Sequence, residues 1–280
     1  MKIGFIGQGW IGKHYADDFE DRGYNVVRFA LEEPYINNKD QIADCDIVFI
    51  AVPTPTTPAG FDDSILRSTL ALIGEGKIAV IKSTILPGTT ESLHRANPNI
   101  FVLHSPEFLV EKTARYDASN PSRNLIGIPE DSKVYREKAE AVLAVLPTAL
   151  YSSVMKSREA EFVKYAGNCF LFSKVLFMNL LYDIADKSDI AWEPVRAALV
   201  HDSRIGESHT SPVHSSGRGA GGHCFIKDFE AFRRMYDNNV GDELGKQVLN
   251  SLVQKNIDLL VKSGKDLDLV RGVYGDRLNE

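Results

Sequence analysis

The apolar positions in the first half of the chain come in short runs that alternate with stretches of helical spacing. Residues 2–6 are an apolar run, and residues 10–22 then repeat apolar side chains at three- and four-residue intervals, which predicts strand followed by helix. Further strands are predicted at 25–31, 46–52, 77–82, 101–104 and 124–128, with helical material at 64–73 and 133–146. Such alternation packs as an α/β doubly wound parallel sheet, because each parallel pair needs a crossover that a helix supplies. Beyond Tyr151 the pattern changes. Residues 157–187 read as one long helix with apolar positions at Phe162, Tyr165, Ala166, Cys169, Phe170, Val175, Leu176 and Leu180. Shorter helices at 193–200 and 228–236 and a long one at 242–263 follow, with no strand pattern between them. The expected organisation is a Rossmann-like domain over 1–150, an all-helical domain over 151–264 and a tail over 265–280. A long loop rich in Gly, Ser and His, residues 201–223, interrupts the helical part, and loops of that length are functional or disordered.

Composition narrows the function classes. The chain has 280 residues with 44% hydrophobic content, enough for two modest cores. Its net charge of −6 is spread over both signs without a basic stripe, which argues against a nucleic-acid partner. No charged leader precedes the first strand, and no apolar stretch approaches the roughly 18 residues of a membrane span, so no membrane partner and a cytoplasmic location are expected. Cys45, Cys169 and Cys224 stand at unrelated spacings that suit neither a disulfide framework nor a metal site, and no metal is expected.

Gly7-Gln8-Gly9-Trp10-Ile11-Gly12 follows the first strand and opens the first helix, the context in which three glycines hold a dinucleotide. Gly7 permits the turn, Gly9 lets backbone approach a pyrophosphate, and Gly12 lets helix pack on strand. The acidic residue expected at the end of the second strand is missing, since Ala30 falls there. Glu32 or Glu33 are the candidates to reach round from the next turn. No Lys or Arg cluster follows to hold a 2′-phosphate, so NAD is favoured over NADP.

A second glycine-rich segment, Gly217 to Gly222, delivers Cys224 to the start of a helix. The helix N-terminus and nearby Lys227 both stabilise a thiolate there, and an inert buried cysteine is the competing reading. Cys45 and Cys169 lie in apolar periodic segments and read as core. Asp228, one turn on, shares a face with Cys224. Glu161, Lys164, Tyr165 and Asn168 form a polar group on the long helix, with Lys164 and Asn168 on one face, where either an oxyanion site or a solvated face is possible. Ser83 to Thr90 and Pro106 to Glu111 follow strand ends, where open α/β sheets bind ligands.

Taken in order, these segments, together with Val52-Pro53-Thr54-Pro55 and Arg204-Ile205-Gly206, resemble the UDP-glucose and GDP-mannose dehydrogenase family. The resemblance runs from the first strand to about residue 260. It implies a four-electron oxidation of a nucleotide sugar, UDP-glucose favoured, to its uronic acid, with two NAD molecules used in turn and a thioester on Cys224. By the same resemblance Lys164 and Asn168 hold the oxyanion, Asp228 and Thr84 manage water and protons, and Glu107 is the base for thioester hydrolysis. It implies cofactor contacts at Gly7, Gly9, Trp10, Ile11, Gly12, Val52, Thr54, Ser83, Thr84 and Glu111. Substrate contacts are implied at Phe108, Leu109, Lys164, Asn168, Arg204, Gly219 and Gly221, with Ser215 in the same cradle, and a homodimer through the helical domain. The family carries a third domain that contributes to the UDP site and has no counterpart in these 280 residues. Two other readings stay open: a β-hydroxyacid dehydrogenase, which makes a single hydride transfer without a thiol, and an NAD-binding protein without turnover.

Overall fold

The computed structural model describes residues 1–214 and 217–275, and the chain divides into two compact units. The first comprises Met1–Pro55 and Asp62–Lys164. Its strands are β1 (Lys2–Ile6), β2 (Asn25–Phe29), β3 (Ile47–Ile50), β6 (Ile78–Ile81), β7 (Phe101–His104), β8 (Arg123–Ile128) and β9 (Tyr151–Lys156), where β4 (Thr56–Thr57) and β5 (Gly60–Phe61) form a hairpin of the second unit. They make one sheet in the order β2-β1-β3-β6-β7-β8-β9. Its helices are α1 (Trp10–Asp21), α2 (Ser64–Leu70), α3 (Thr89–Ala96), α4 (Ala114–Ser119), α5 (Lys133–Val145) and the start of α6 (Ser157–Lys187).

The chain leaves β1 for β2 on one side and returns to β3 on the other, so the strand order reverses between β1 and β3, where open α/β sheets leave a ligand crevice. Phe5 and Phe49 stack across that pair at 5.1 Å with Phe19 of α1 against both, in the core that fixes α1 on the sheet. A Cβ on Gly12 would collide with the Gly7 carbonyl, so only glycine lets α1 start this close to β1.

Two sequence expectations are corrected here. The sheet is parallel except for β7 and β8, which pair antiparallel, because the segment joining them holds only a 3-10 turn and the short α4 and makes no crossover. Residues 151–156, read as lying beyond the sheet domain, form its seventh strand, paired with β8 from Arg123↔Tyr151 to Ile128↔Lys156. That strand lies at the sheet edge with no buried residue, so it carries no apolar pattern to read.

The second unit comprises Thr56–Phe61 and Tyr165–Glu280. It holds the β4–β5 hairpin, the rest of α6, α7 (Trp192–Val200), a small hairpin of β10 (Val213–His214) and β11 (Gly217–Arg218), α8 (Gly222–Asn239), α9 (Glu243–Ser263) and α10 (Leu267–Tyr274). Its core joins Cys169, Phe172, Val175 and Leu176 of α6 to Phe229 of α8 and to Val253 and Leu259 of α9. The expected tail is a helix with Val270 and Val273 buried, and residues 276–280 lie outside the described residues. The expectation that no stretch reaches membrane length is corrected for α6, where an 18-residue window has a mean hydropathy of 1.2. The apolar face of α6 packs in this core, and its Lys174 and Asn179 side chains bond to carbonyls of the same unit, the behaviour of a core helix.

Helix α3 begins at Thr89 after Gly88 at its cap, and Glu161 of α6 accepts from N–H groups at this end. The buried carboxylate accepts from Gly88 N at 2.5 Å, Thr90 N at 2.8 Å and Thr90 Oγ1 at 2.6 Å. Burial pushes its pKa up, against the lowering effect of those bonds. Glu161→Ala leaves two buried donors of Thr90 and the half-buried Gly88 N–H without this acceptor, and urea denaturation is expected to show a loss of about 2–3 kcal/mol.

Candidate active site

At the switch point of the sheet, Gly7 N donates to Phe29 O and Ala51 N to Ile6 O, which ties the ends of β1, β2 and β3 together. The N-terminus of α1 has Gly9 as its cap without a side-chain acceptor, and a Cβ built at Gly9 would meet open space among the described residues. That uncovered backbone, beside exposed Trp10 and half-buried Ile11, is the cradle a pyrophosphate requires. The loops after β3 and β6 are joined by three bonds. Ser83 Oγ donates to Val52 O at 2.7 Å and accepts from Val52 N at 3.0 Å, and Thr54 Oγ1 donates to Thr84 O at 2.7 Å. Val52, Thr54, Ser83 and Thr84 are thus brought together beside the glycine turn, whereas Glu111 stands exposed in a 3-10 turn. Glu32 and Glu33 are exposed in the turn after β2. Arg28, on that strand, is taken by Asp17 at 2.7 Å and Glu20 at 2.6 Å, which leaves its charge neutralised and unsuited to a 2′-phosphate.

Beyond β7 the chain places Glu107 out of water, 2.7 Å from Lys164 Nζ, with both side chains less than a tenth exposed. The second carboxylate oxygen accepts from Leu109 N at 2.8 Å, which shapes the turn. Two cations approach the Phe108 ring, Arg123 at 3.7 Å and Lys164 at 5.7 Å from its centroid. The first unit therefore sets Glu107, Phe108, Leu109 and Lys164 in one cluster.

In the second unit Asp228 is fully buried on α8 and accepts from Lys227 Nζ at 2.5 Å and from Asn168 Nδ2 at 2.6 Å. Cys224 stands exposed in the first turn of the same helix, which begins at Gly222, six residues earlier than the 228 expected from apolar spacing. Gly219 is buried and Gly221 half-buried just before it. Arg204 is exposed and paired with Asp202 at 2.6 Å. Ser215 lies outside the described residues. Cys45 and Cys169 are buried, and burial pushes both thiols up, Cys169 with a further contribution from Asp228.

One member of the first cluster escaped the sequence reading. Lys82, directly after β6, is buried with its ammonium 4.3 Å from the Tyr15 ring centroid and donating to Ser105 Oγ at 3.2 Å. Burial pulls its pKa from 10.5 down to about 7, with Glu107 opposing and Lys164 adding to the fall. His104 beside it is pulled to about 3 by burial and by Lys82, and neither ring nitrogen has a hydrogen-bond partner among the described residues. A cation at the end of an otherwise apolar strand was the signal available in the sequence.

The chain belongs to the UDP-glucose/GDP-mannose dehydrogenase family: residues 33–146 match that family's NAD-binding domain and residues 158–256 its central domain. NAD is accordingly the cofactor of the first unit, in keeping with the open cradle at Gly9. The UDP-glucose 6-dehydrogenase of Haloferax volcanii is 29% identical over 82% of this chain and 64% of its own length. A UDP-glucose dehydrogenase from Pyrobaculum islandicum superposes with a TM-score of 0.77 at 24% identity, covering 98% of this chain and 84% of that one. The fold is shared more widely. A 3-hydroxyisobutyrate dehydrogenase from Mycobacterium tuberculosis gives a TM-score of 0.70 at 15% identity, covering 99% of each chain. The chain spans 64% or less of the length of the first curated relatives it matches.

The depressed Lys82 has a consequence for stability. Between about pH 7 and its ordinary value of 10.5 the unfolded chain holds a proton that the folded chain lacks, so this group makes the fold more stable as pH rises through that window, and its full penalty is present below it. Lys82→Met removes the effect. Denaturation of both proteins at about pH 7 and about pH 9.5 is expected to show wild type gaining on the order of 2 kcal/mol relative to the variant.

Proposed function

We propose that the chain oxidises a nucleotide sugar, UDP-glucose in the first instance, to its uronic acid through a thioester on Cys224. The observation that carries this reading is the exposed Cys224 in the first turn of α8, at the end of a glycine-rich loop and one turn before buried Asp228. Bound NAD supplies the hydride acceptor, one molecule for each of two successive oxidations. The first turns the C6 alcohol into an aldehyde, with loss of one hydride and one proton. The Cys224 thiol gives up its proton, the thiolate adds to the aldehyde carbon, and the alkoxide so formed loses a second hydride to give the thioester. Water cleaves it to carboxylate and thiol, which restores the cysteine.

Each residue follows from its setting. Lys164 brings positive charge to the sugar oxygen, and Asn168, oriented by Asp228, brings an amide N–H. Glu107, held as a buried ion pair with Lys164, takes the proton from the hydrolytic water, with Thr84 and Asp228 in the proton path. Gly7, Gly9, Trp10, Ile11, Gly12, Val52, Thr54, Ser83 and Thr84 line the cofactor crevice, with Glu111 as a further contact. Phe108, Leu109, Arg204, Gly219 and Gly221 contact the nucleotide sugar. NAD and nucleotide sugars are cytoplasmic solutes, which places the reaction there, as a step toward polysaccharide precursors.

The second reading, a β-hydroxyacid dehydrogenase making one hydride transfer, is favoured by the full-length likeness in fold to the hydroxyisobutyrate enzyme. Stoichiometry separates the two. With UDP-glucose, wild type is expected to release two NADH per sugar, and Cys224→Ala to form no uronic acid. One NADH per turnover, unchanged in the variant, overturns the thioester route.

A homodimer forms through the helical unit. Phe170, Phe177 and Ile184 of α6 are more than half exposed, and they repeat at seven-residue intervals along one stripe of the helix, the spacing of a helix-pairing seam. Light scattering is expected to give twice the monomer mass for wild type and a monomer for the double variant Phe170→Glu, Phe177→Glu.

A further inference from the structure

The segment after α9 makes no part of the family match, which ends at residue 256, yet it holds the loop that delivers Cys224. Lys265 is buried, and its ammonium donates to three carbonyls of that loop: His214 O at 3.2 Å, Gly217 O at 3.5 Å and Gly219 O at 3.1 Å. Asp266, the next residue, turns its carboxylate the other way along the same loop and accepts from Gly222 N, the first N–H of α8, at 2.8 Å. Asp266 holds a left-handed φ of 53°, which a non-glycine residue keeps only where its surroundings enforce it. A Cβ on Gly221 would collide with the Asp266 carboxylate, so the loop is built to admit it. Asn256 of α9 closes the set by bonding Ala220 at both ends, accepting from its N–H at 2.7 Å and donating to its carbonyl at 3.0 Å.

We propose that Lys265 and Asp266 are positioning residues for Cys224, the cation fixing the loop before it and the anion fixing the first turn of its helix. Asp266 has a second effect. Its negative charge occupies the helix N-terminus, the positive dipole end that stabilises a thiolate in the same turn, so it restrains the acidity of Cys224. Among the described residues, the charged and titratable groups near this turn include Lys265, Lys227 with its partner Asp228, His223 before the cysteine, His214, whose carbonyl Lys265 holds, and His209, whose ring packs 5.4 Å from Phe225. Asp266→Asn keeps an acceptor for Gly222 N and removes only the charge.

The importance of this clamp rests on Cys224 being the nucleophile, and the test reads the thiol whether or not the chain turns over sugar. Cys224 is alkylated with iodoacetamide across a pH series, and its adduct is quantified by mass spectrometry in wild type, Asp266→Asn, Lys265→Met and Lys265→Arg. For Asp266→Asn the alkylation midpoint is expected to fall by about half a pH unit, and the rate below the midpoint to rise about threefold. Lys265→Met is expected to speed amide hydrogen exchange over residues 217–222 at least about tenfold, with partial rescue in Lys265→Arg. An unmoved midpoint in Asp266→Asn overturns the effect on acidity, and unchanged exchange in Lys265→Met overturns the clamp. If Lys265→Met does not fold, the comparison of Lys265→Arg with wild type carries the exchange test.

Discussion

A carboxylate or ammonium taken out of water loses hydration worth several kcal/mol, and it stays charged in a fold only where other groups replace that hydration. This constraint organises both units. Glu107 is matched by Lys164 and by the Leu109 amide, Glu161 by the first N–H groups of α3, and Asp228 by Lys227 and Asn168. Glu230, also buried, is matched by Arg233 and Arg234, and Arg234 goes on to hold the Thr57 carbonyl of the β4–β5 hairpin. Each matched group ties together segments distant in sequence, so the same bonds that make burial tolerable also fix the site.

Lys82 is the exception that defines the rule. It has a hydroxyl and an aromatic face but, among the described residues, no carboxylate in contact, and burial accordingly pulls its pKa down to about 7. Glu107 and Lys164, by contrast, form a buried ion pair at 2.7 Å. The first unit therefore holds, at the carboxyl edge of its sheet, one neutralised ion pair and one lysine poised near neutral pH. Such a cluster suits chemistry that releases protons at each oxidation.

Glycine does corresponding work for the backbone. At Gly12 it lets α1 meet β1 closely enough for the helix N-terminus to face a phosphate, and at Gly221 it makes room for the carboxylate that caps α8. In both places a loop feeds a helix whose first turn carries the chemistry. The two helices differ in what occupies that first turn: α1 has no side-chain cap, and α8 has Asp266.

Long, periodic elements were legible in the sequence. The helix at 157–187 and the strands at 2–6 and 101–104 match the structure end to end, and the other expected strands shifted by one or two residues, because a buried face imposes its period on the side chains. Helices α3 and α10, the edge strand β9 and the two small hairpins were not legible. Short or exposed elements such as these bury too few side chains to show a period. Ordered motifs named the family and its NAD cofactor from residues close in sequence. What only the tertiary structure decided is which charges meet: that Glu161 caps a helix, that Lys82 is buried against a hydroxyl and an aromatic ring, and that Lys265 and Asp266 grip the cysteine loop. Motif and period depend on neighbours along the chain, whereas the state of a buried charge depends on groups that folding brings to it from dozens of residues away.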